Sequence, residues 1–147
     1  EDAGQFKDLK QSDIVISDLN VIDENTLLID ERDKNAGDAA QLKRIYAINL
    51  TDATNILGKY DEAGPSGKTL EQMSPAELRQ AGIMTPLKRT VLDAVEFNYP
   101  NEKIEGISLV NGHTLVIVND NDFGVTNPDA KENGTDLWTF ELPYDLK

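Results

Sequence analysis

A repeated pattern of short β-rich segments most constrains what this chain can fold into. The segment Thr26–Ile29 matches Thr114–Ile117 at an offset of 88 residues. In both copies a β-rich run and a tight turn precede the match, and an acidic loop and an aromatic-containing run follow it. A hairpin with a third strand forms a small sheet that cannot bury both of its faces, so such units stack. The repeat therefore predicts a mainly β fold of antiparallel sheets.

The dipeptide Asn111-Gly112 lies between two alternating apolar runs and predicts a β-hairpin. A type I′ turn requires positive φ at both central residues, which asparagine and glycine tolerate best. Together with the turn-forming residues 23–25, this turn separates the chain ends into short strands. The predicted strands cover 14–22, 26–31, 44–50, 104–110, 114–118 and 137–142.

The middle of the chain has the pattern of loop and helix. Ser74, Pro75 and Glu77 occupy the positions of a capping box, which predicts a short helix over 75–81. The segment after Thr85 fits either a second short helix or a strand. We expect a single unit over 1–147, with blade-like repeats at about 14–50 and 104–142. A loop and helix insertion is expected at about 58–95.

Acidic residues dominate the composition and are concentrated at the two ends. The net charge is −13, from 27 acidic and 14 basic residues. Residues 1–40 hold 11 acidic and 4 basic residues, residues 101–147 hold 9 and 3, and the middle is balanced. An acidic surface repels phosphate backbones, so we expect no nucleic-acid partner. Because no run of about 18 apolar residues is present, we also expect no membrane span.

Four oxygen-bearing side chains in succession follow the strand predicted at 114–118. Calcium binds six to eight oxygens from carboxylates, amides and carbonyls, so Asn119, Asp120 and Asp122 are candidate ligands of Ca²⁺. The alternative is an Asx-rich turn in which these side chains bond their own backbone.

Two glutamates are candidate catalytic residues. By the repeat, Glu31 falls where Asn119 falls, so both could approach one site at the end of equivalent strands. Arg32 either pairs with Glu31 or binds a phosphate in bidentate fashion. Glu105 lies beside Gly106, where a ligand or another strand can approach the backbone closely. It is a metal ligand or general base if it faces a propeller channel, and an ordinary residue if it faces water.

Three segments together resemble the phytase-like family, which is described by an esterase-like activity of phytase. They are LLIDERD at 27–33 with LKRIYAINL at 42–50, PLKRTVLDA at 86–94, and IEGISLVNGHTLVIVNDNDFGV at 104–125. The third segment is the most specific. The resemblance implies the C-terminal part of a β-propeller, from a bacterial protein that is secreted or lies in the periplasm or cell envelope.

The resemblance also implies hydrolysis of a small-molecule phosphate ester, often with calcium. Asn119, Asp120, Asp122 and Glu105 would then hold the ion. A water bound to it would be the nucleophile, with Glu31 as a candidate for the base. The chain's single histidine, His113, is expected to be exposed beside a turn, which removes Ser-His-Asp catalysis within this chain. A non-catalytic propeller that binds a protein or polymer, and a purely structural module with solvated acidic loops, remain as alternatives.

A partial propeller would leave sheet edges exposed, and exposed edges pair with other strands. We therefore expect the edges to be covered by further blades, by a second chain or by a homo-oligomer that forms through edge pairing. The alternative is that the repeat is not a propeller blade.

Overall fold

The computed structural model describes residues 2–60, 62, 64, 67–122 and 134–146. Over these residues the chain is mainly β, as predicted, with one short α-helix and several 3₁₀ turns. Two compact units are present, residues 1–48 with 88–147, and residues 49–87. The elements are β1 (Val15–Val21), β2 (Thr26–Arg32), β3 (Lys43–Asn49), α1 (Pro75–Gln80), β4 (Leu87–Asp93), β5 (Lys103–Val110), β6 (Thr114–Asp120) and β7 (Leu137–Glu141).

The strands form two antiparallel sheets, with the order β1-β2-β3-β4 in the first and β5-β6-β7 in the second. Each sheet begins with the hairpin and third strand that the repeat predicts. The segment after Thr85, for which helix and strand were both open, forms β4 and then a 3₁₀ turn over Ala94–Phe97. Both sheets are open in the described part of the chain, so the propeller and its blades stay a prediction.

Apolar side chains from both sheets form one core. Leu28 and Ile45 enter it from the first sheet, and Ile107 and Ile117 enter it from the second. Tyr99 packs edge-on against Trp138, which also stacks on Phe140. Because strand side chains alternate between faces, each sheet turns one face toward this core and the other away from it.

In the two copies of the repeat, equivalent residues of β2 and β6 face opposite sides of their sheets. On β2 the core-facing positions run from Leu28 through every second residue to Arg32, whereas on β6 they run from Leu115 in the same way to Asn119. At the offset of 88, Glu31 aligns with Asn119. Since Glu31 lies between two core-facing positions of β2, these equivalent residues face opposite sides of their sheets.

The second unit contains α1, and its capping box forms as predicted. The Ser74 backbone N–H donates to Glu77 Oε2 at 2.8 Å, and the Glu77 backbone N–H donates to Ser74 Oγ at 3.3 Å. The helix ends at Gln80, one residue before the predicted end, and Gly82 follows with φ of 71°. Residues 61, 63, 65 and 66 of the predicted insertion, and 123–133 of the second repeat, lie outside the described residues.

No helix in the described ranges is long and apolar enough to cross a membrane.

The β5–β6 hairpin has the predicted turn. Asn111 has φ of 53° and Gly112 has φ of 83°, the left-handed pair that a type I′ turn requires.

We expect Gly112→Ala to lower the free energy of unfolding by about 1–2 kcal/mol, because a Cβ is strained in this region. Urea denaturation measures the change. Gly134→Ala is the control, since Gly134 has no left-handed φ and open space where the Cβ would lie. Equal losses in both variants would contradict the turn.

Candidate functional site

The end of β2 carries four consecutive charged residues, and all four are buried. Asp30 and Asp33 are fully buried, and Glu31 and Arg32 are nearly so. Charged side chains are almost never buried to this extent unless they are paired. Alternation along the strand sends Asp30 and Arg32 toward the second sheet and Glu31 to the opposite face. The four residues therefore belong to three separate polar groups.

Asp33 forms a buried ion pair with Lys43, and neither side chain is exposed. Lys43 Nζ lies 2.6 Å from Asp33 Oδ1, and the backbone N–H groups of Gln41 and Leu42 donate to Oδ2 at 2.6 and 3.1 Å. Burial by itself raises the pKa of Asp33, but these hydrogen bonds outweigh it, so the pKa is lowered. Because every oxygen is used to hold the loop 33–42, this pair is structural.

Asp30 completes a bulge in the neighbouring strand. Between the pairs Ile16–Glu31 and Leu19–Ile29, two residues of β1 stand opposite Asp30 alone. Those two residues, Ser17 and Asp18, donate their backbone N–H groups to Asp30 Oδ1 at 3.2 and 2.6 Å. The carboxylate therefore replaces the ladder partners that the bulge disrupts.

The second sheet has a matching bulge. Between the pairs Ile104–Asn119 and Gly106–Val118, β5 contains one extra residue, Glu105. The Glu105 carboxylate pairs with the Arg32 guanidinium of the first sheet. The Ile107 backbone N–H donates to Asp18 Oδ2 at 2.8 Å. We call Asp18, Asp30, Arg32 and Glu105 the intersheet network, because these side chains connect the two bulges.

Several buried polar atoms of this region have no hydrogen-bond partner among the described residues. They are Ser17 Oγ, Asp30 Oδ2, Arg32 Nε and the Tyr99 hydroxyl. Burial is the main cause that raises the pKa of Asp30 to about 6, against the two backbone N–H groups that lower it. An unpartnered acceptor and an unpartnered donor that are both buried on β2 each cost free energy.

Glu31 has a different environment. Lys88 Nζ donates to Glu31 Oε1 at 2.8 Å and lies 4.2 Å from the centre of the Tyr46 ring. In the same sheet, Arg44 Nε of β3 donates to Asp93 Oδ2 of β4 at 2.6 Å. The sequence left two roles open for Arg32, a pair with Glu31 or a phosphate contact. Its carboxylate partner in the structure is instead Glu105, so the two candidate catalytic glutamates sit in separate ion pairs.

Glu105 is the more accessible of the two candidates. Its side chain is 37% exposed, whereas that of Glu31 is 5% exposed. The adjacent Gly106 is not required by close packing, because a Cβ there would meet Val118 Cβ at an ordinary 3.6 Å. The carboxylate of Glu105 is exposed because Glu105 is the extra residue of the bulge, and not because a glycine lies next to it.

The candidate calcium ligands are occupied by the protein itself. Asn119 Oδ1 accepts from the Asp136 backbone N–H at 2.5 Å, and its amide donates to the Gly134 carbonyl oxygen. Asp120 Oδ1 accepts from the Asp122 backbone N–H at 2.9 Å. Asp122 Oδ2 lies 2.5 Å from Lys103 Nζ. This is the arrangement of an Asx turn closed by an ion pair.

These side chains do not fit a calcium site as they are arranged, since two of the three oxygen groups already accept from the backbone and the third holds an ammonium. No group of three or more acidic, histidine or cysteine side chains that could hold a metal is found within residues 2–60, 62, 64, 67–122 and 134–146. Calcium at Asn119, Asp120 and Asp122 stays a prediction.

Sequence reasoning singled out Glu31 and Glu105 but missed Asp18, Asp30 and Lys88 as parts of their surroundings. A signal for Asp30 was present, because it interrupts the apolar positions of β2 on the core side. Asp18 and Lys88 carry no such signal, since their partners are distant in the chain.

His113, set aside by sequence reasoning, lies at the hairpin turn within 3.3 Å of Asp145 and 3.6 Å of Glu141.

Two antiparallel sheets joined by carboxylate-bridged bulges define a mainly β protein with a charged cluster at the end of β2. The model of the phytase-like family, described as esterase-like activity of phytase, matches residues 3–123. The chain therefore belongs to the phytase-like family, as its segments suggested. No curated protein and no solved structure matches the chain.

The buried Asp30 should make stability depend on pH. Its raised pKa means that the folded chain binds a proton more readily than the unfolded chain, so stability falls as pH rises from about 4 to about 6. Asparagine binds no proton. We compare the unfolding free energy of Asp30→Asn with that of the wild type. We expect the difference, variant minus wild type, to rise by about 3 kcal/mol between about pH 4 and pH 7.

Urea denaturation at several pH values measures this difference. Asp23→Asn is the control, because the Asn25 backbone N–H is the main cause that lowers the pKa of the exposed Asp23. The unfolding free energy of Asp23→Asn, relative to that of the wild type, should therefore fall as pH rises, opposite to the rise expected for Asp30→Asn. A flat difference for Asp30→Asn would contradict the raised pKa.

The calcium prediction can be tested through Lys103. Binding at Asp122 requires the carboxylate to release the Lys103 ammonium, so Lys103→Ala should bind calcium more tightly than the wild type. Ligand binding to the folded state raises the apparent stability. The prediction requires a larger rise of Tm with Ca²⁺, after EDTA treatment, in Lys103→Ala than in the wild type. Lys34→Ala is the control. The absence of any rise in all three proteins would contradict calcium at this loop.

Proposed function

We propose that this chain takes part in the hydrolysis of phosphate esters by a phytase-like, esterase-like protein, and that its sheets are blades of a β-propeller. The family match over residues 3–123 carries the proposal. That range includes the ion pairs of the two candidate glutamates, Glu31 with Lys88 and Glu105 with Arg32. A secreted or cell-envelope location is proposed with it.

The pair of Glu105 and Arg32 supports hydrolysis best. The Glu105 carboxylate is accessible and accepts a proton from the attacking water, while the water oxygen forms its bond to phosphorus. The bond between phosphorus and the ester oxygen breaks, and the departing alkoxide takes a proton from solvent and leaves as the alcohol. Arg32 stands beside the carboxylate and stabilises the negative charge that develops on the phosphoryl oxygens. An acyl ester fits the same groups, because its oxyanion needs the same cation.

The pair of Glu31 and Lys88 supports a supplementary role. Lys88 is 31% exposed and its ammonium is held against the Tyr46 ring by the buried Glu31. A positioned ammonium suits a phosphate oxygen. Glu31 is then the group that orients Lys88, and its role as a base stays a prediction.

Activity assays test these roles. We expect Glu105→Gln to lower kcat/KM at least about 100-fold, the usual contribution of a general base. We expect Glu31→Gln to act mainly on KM for phosphate substrates, because Lys88 loses its partner. The substrates are inositol hexakisphosphate, para-nitrophenyl phosphate and para-nitrophenyl acetate. Glu141→Gln is the control, since Glu141 is exposed and bonds Thr114. Full activity in Glu105→Gln would contradict its role as the base.

A second candidate, a non-catalytic binding module, is favoured by an exposed apolar row on β1. Ile16, Leu19 and Val21 are all more than half exposed, and β1 is at one end of the first sheet. Apolar rows on edge strands are typical of surfaces that another sheet or strand covers. Further blades, a second chain or an edge-paired copy are the proposed partners. Absence of hydrolysis by the wild type, with a larger molar mass in light scattering, would favour this candidate.

A further inference from the structure

We infer that Asp30 is a positioning residue for Glu105, and that it acts through the two facing bulges rather than by direct contact. This inference rests on the proposed function, since it concerns the carboxylate that the proposal makes the base. Contacts of the described residues carry it in three steps, which lead from β2 to β1, from β1 to β5, and from β5 back to β2.

The first contact shapes the β1 bulge. Asp30 Oδ1 accepts from the Ser17 and Asp18 backbone N–H groups, so one buried oxygen fixes the direction of both residues. Those N–H groups lie where the ladder is interrupted and depend on Asp30 for a partner. An apolar side chain at position 30 would leave both unsatisfied, and buried groups in that state cost free energy.

The second contact carries this geometry to the other sheet. With its own backbone held by Asp30, Asp18 extends its side chain to β5 and accepts from the Ile107 backbone N–H at 2.8 Å. Ile107 lies two residues after Glu105, directly beyond the β5 bulge. The bond therefore fixes the bulge at the side where the strand resumes its regular pairing.

The last contact closes the ring. Glu105, the extra residue of the bulge, reaches Arg32, which stands two positions after Asp30 on the same face of β2. One strand thus supplies both the residue that shapes the bulges and the cation that pairs with Glu105. The position of Glu105 relative to Arg32 is set twice, once through Arg32 itself and once through Asp30 and Asp18.

Asparagine and alanine at position 30 separate positioning from charge. Asparagine retains an oxygen that accepts both backbone N–H groups, whereas alanine retains none. We therefore expect Asp30→Ala to change the position of Glu105 and Asp30→Asn to preserve it. Asp18→Ala removes the next contact of the chain without touching the buried position 30, so it still tests the inference if Asp30→Ala fails to fold.

Two NMR signals report the positioning independently of activity. They are the hydrogen exchange of the Ile107 amide and the side-chain carboxyl signal of Glu105. We expect Asp30→Ala and Asp18→Ala to accelerate Ile107 exchange at least about tenfold, the effect of losing a hydrogen bond worth about 1.4 kcal/mol, and to shift the Glu105 signal. Asp30→Asn should leave both close to wild type. Asp23→Ala, in the same hairpin, is the control.

Kinetics then relate the positioning to the reaction. We expect Asp30→Ala to lower kcat more than it raises KM, and Asp30→Asn to restore most of kcat. Unchanged Ile107 exchange and an unchanged Glu105 signal in Asp18→Ala would overturn the inference. An inactive wild type with the expected NMR changes would instead refute the proposed function and leave the positioning role intact.

Discussion

The packing of the two sheets depends on carboxylates that replace missing backbone partners. Each sheet contains a bulge where its ladder is interrupted, and an interruption inside a protein leaves N–H groups that must find acceptors. Asp30 supplies the acceptor for the β1 bulge, and Asp18 supplies one beside the β5 bulge. Because Asp18 belongs to one sheet and its donor to the other, satisfying the backbone also joins the sheets. The apolar core fills the remaining space between them.

This arrangement explains why so much charge lies inside the first unit. Burial of a charge is costly unless it is paired. Asp30 accepts two backbone N–H groups, and the other buried charges at the end of β2 lie in ion pairs. Asp33 and Lys43 hold a loop, Glu31 holds Lys88, and Arg32 holds Glu105. Only the last two pairs include a side chain that solvent reaches. For that reason the proposed chemistry is assigned to them, whereas Asp33 and Lys43 are structural.

The acidic loop after β6 shows how the same residue types serve a different purpose. Asn119 and Asp120 accept backbone N–H groups, and Asp122 pairs with Lys103. From sequence, an Asx-rich turn and a calcium loop have the same composition, and both were open. The difference lies in the direction of the oxygens, which depends on Asp136 and Lys103, neither of which is adjacent to the loop in sequence.

The sequence by itself determined the elements and the family. Alternating apolar residues, the Asn111-Gly112 turn and the Ser74 capping box act over a few residues, so local patterns suffice to place the hairpin, the helix and every strand except β4, for which helix and strand were both open. The tertiary structure alone decided which charges meet. Glu31 and Asn119 are equivalent in the repeat, yet β2 turns Leu28, Asp30 and Arg32 toward the core whereas β6 turns Leu115, Ile117 and Asn119, so the two face opposite sides of their sheets. The pairing of Arg32 with Glu105 joins residues 73 positions apart, and no local pattern encodes such a distance.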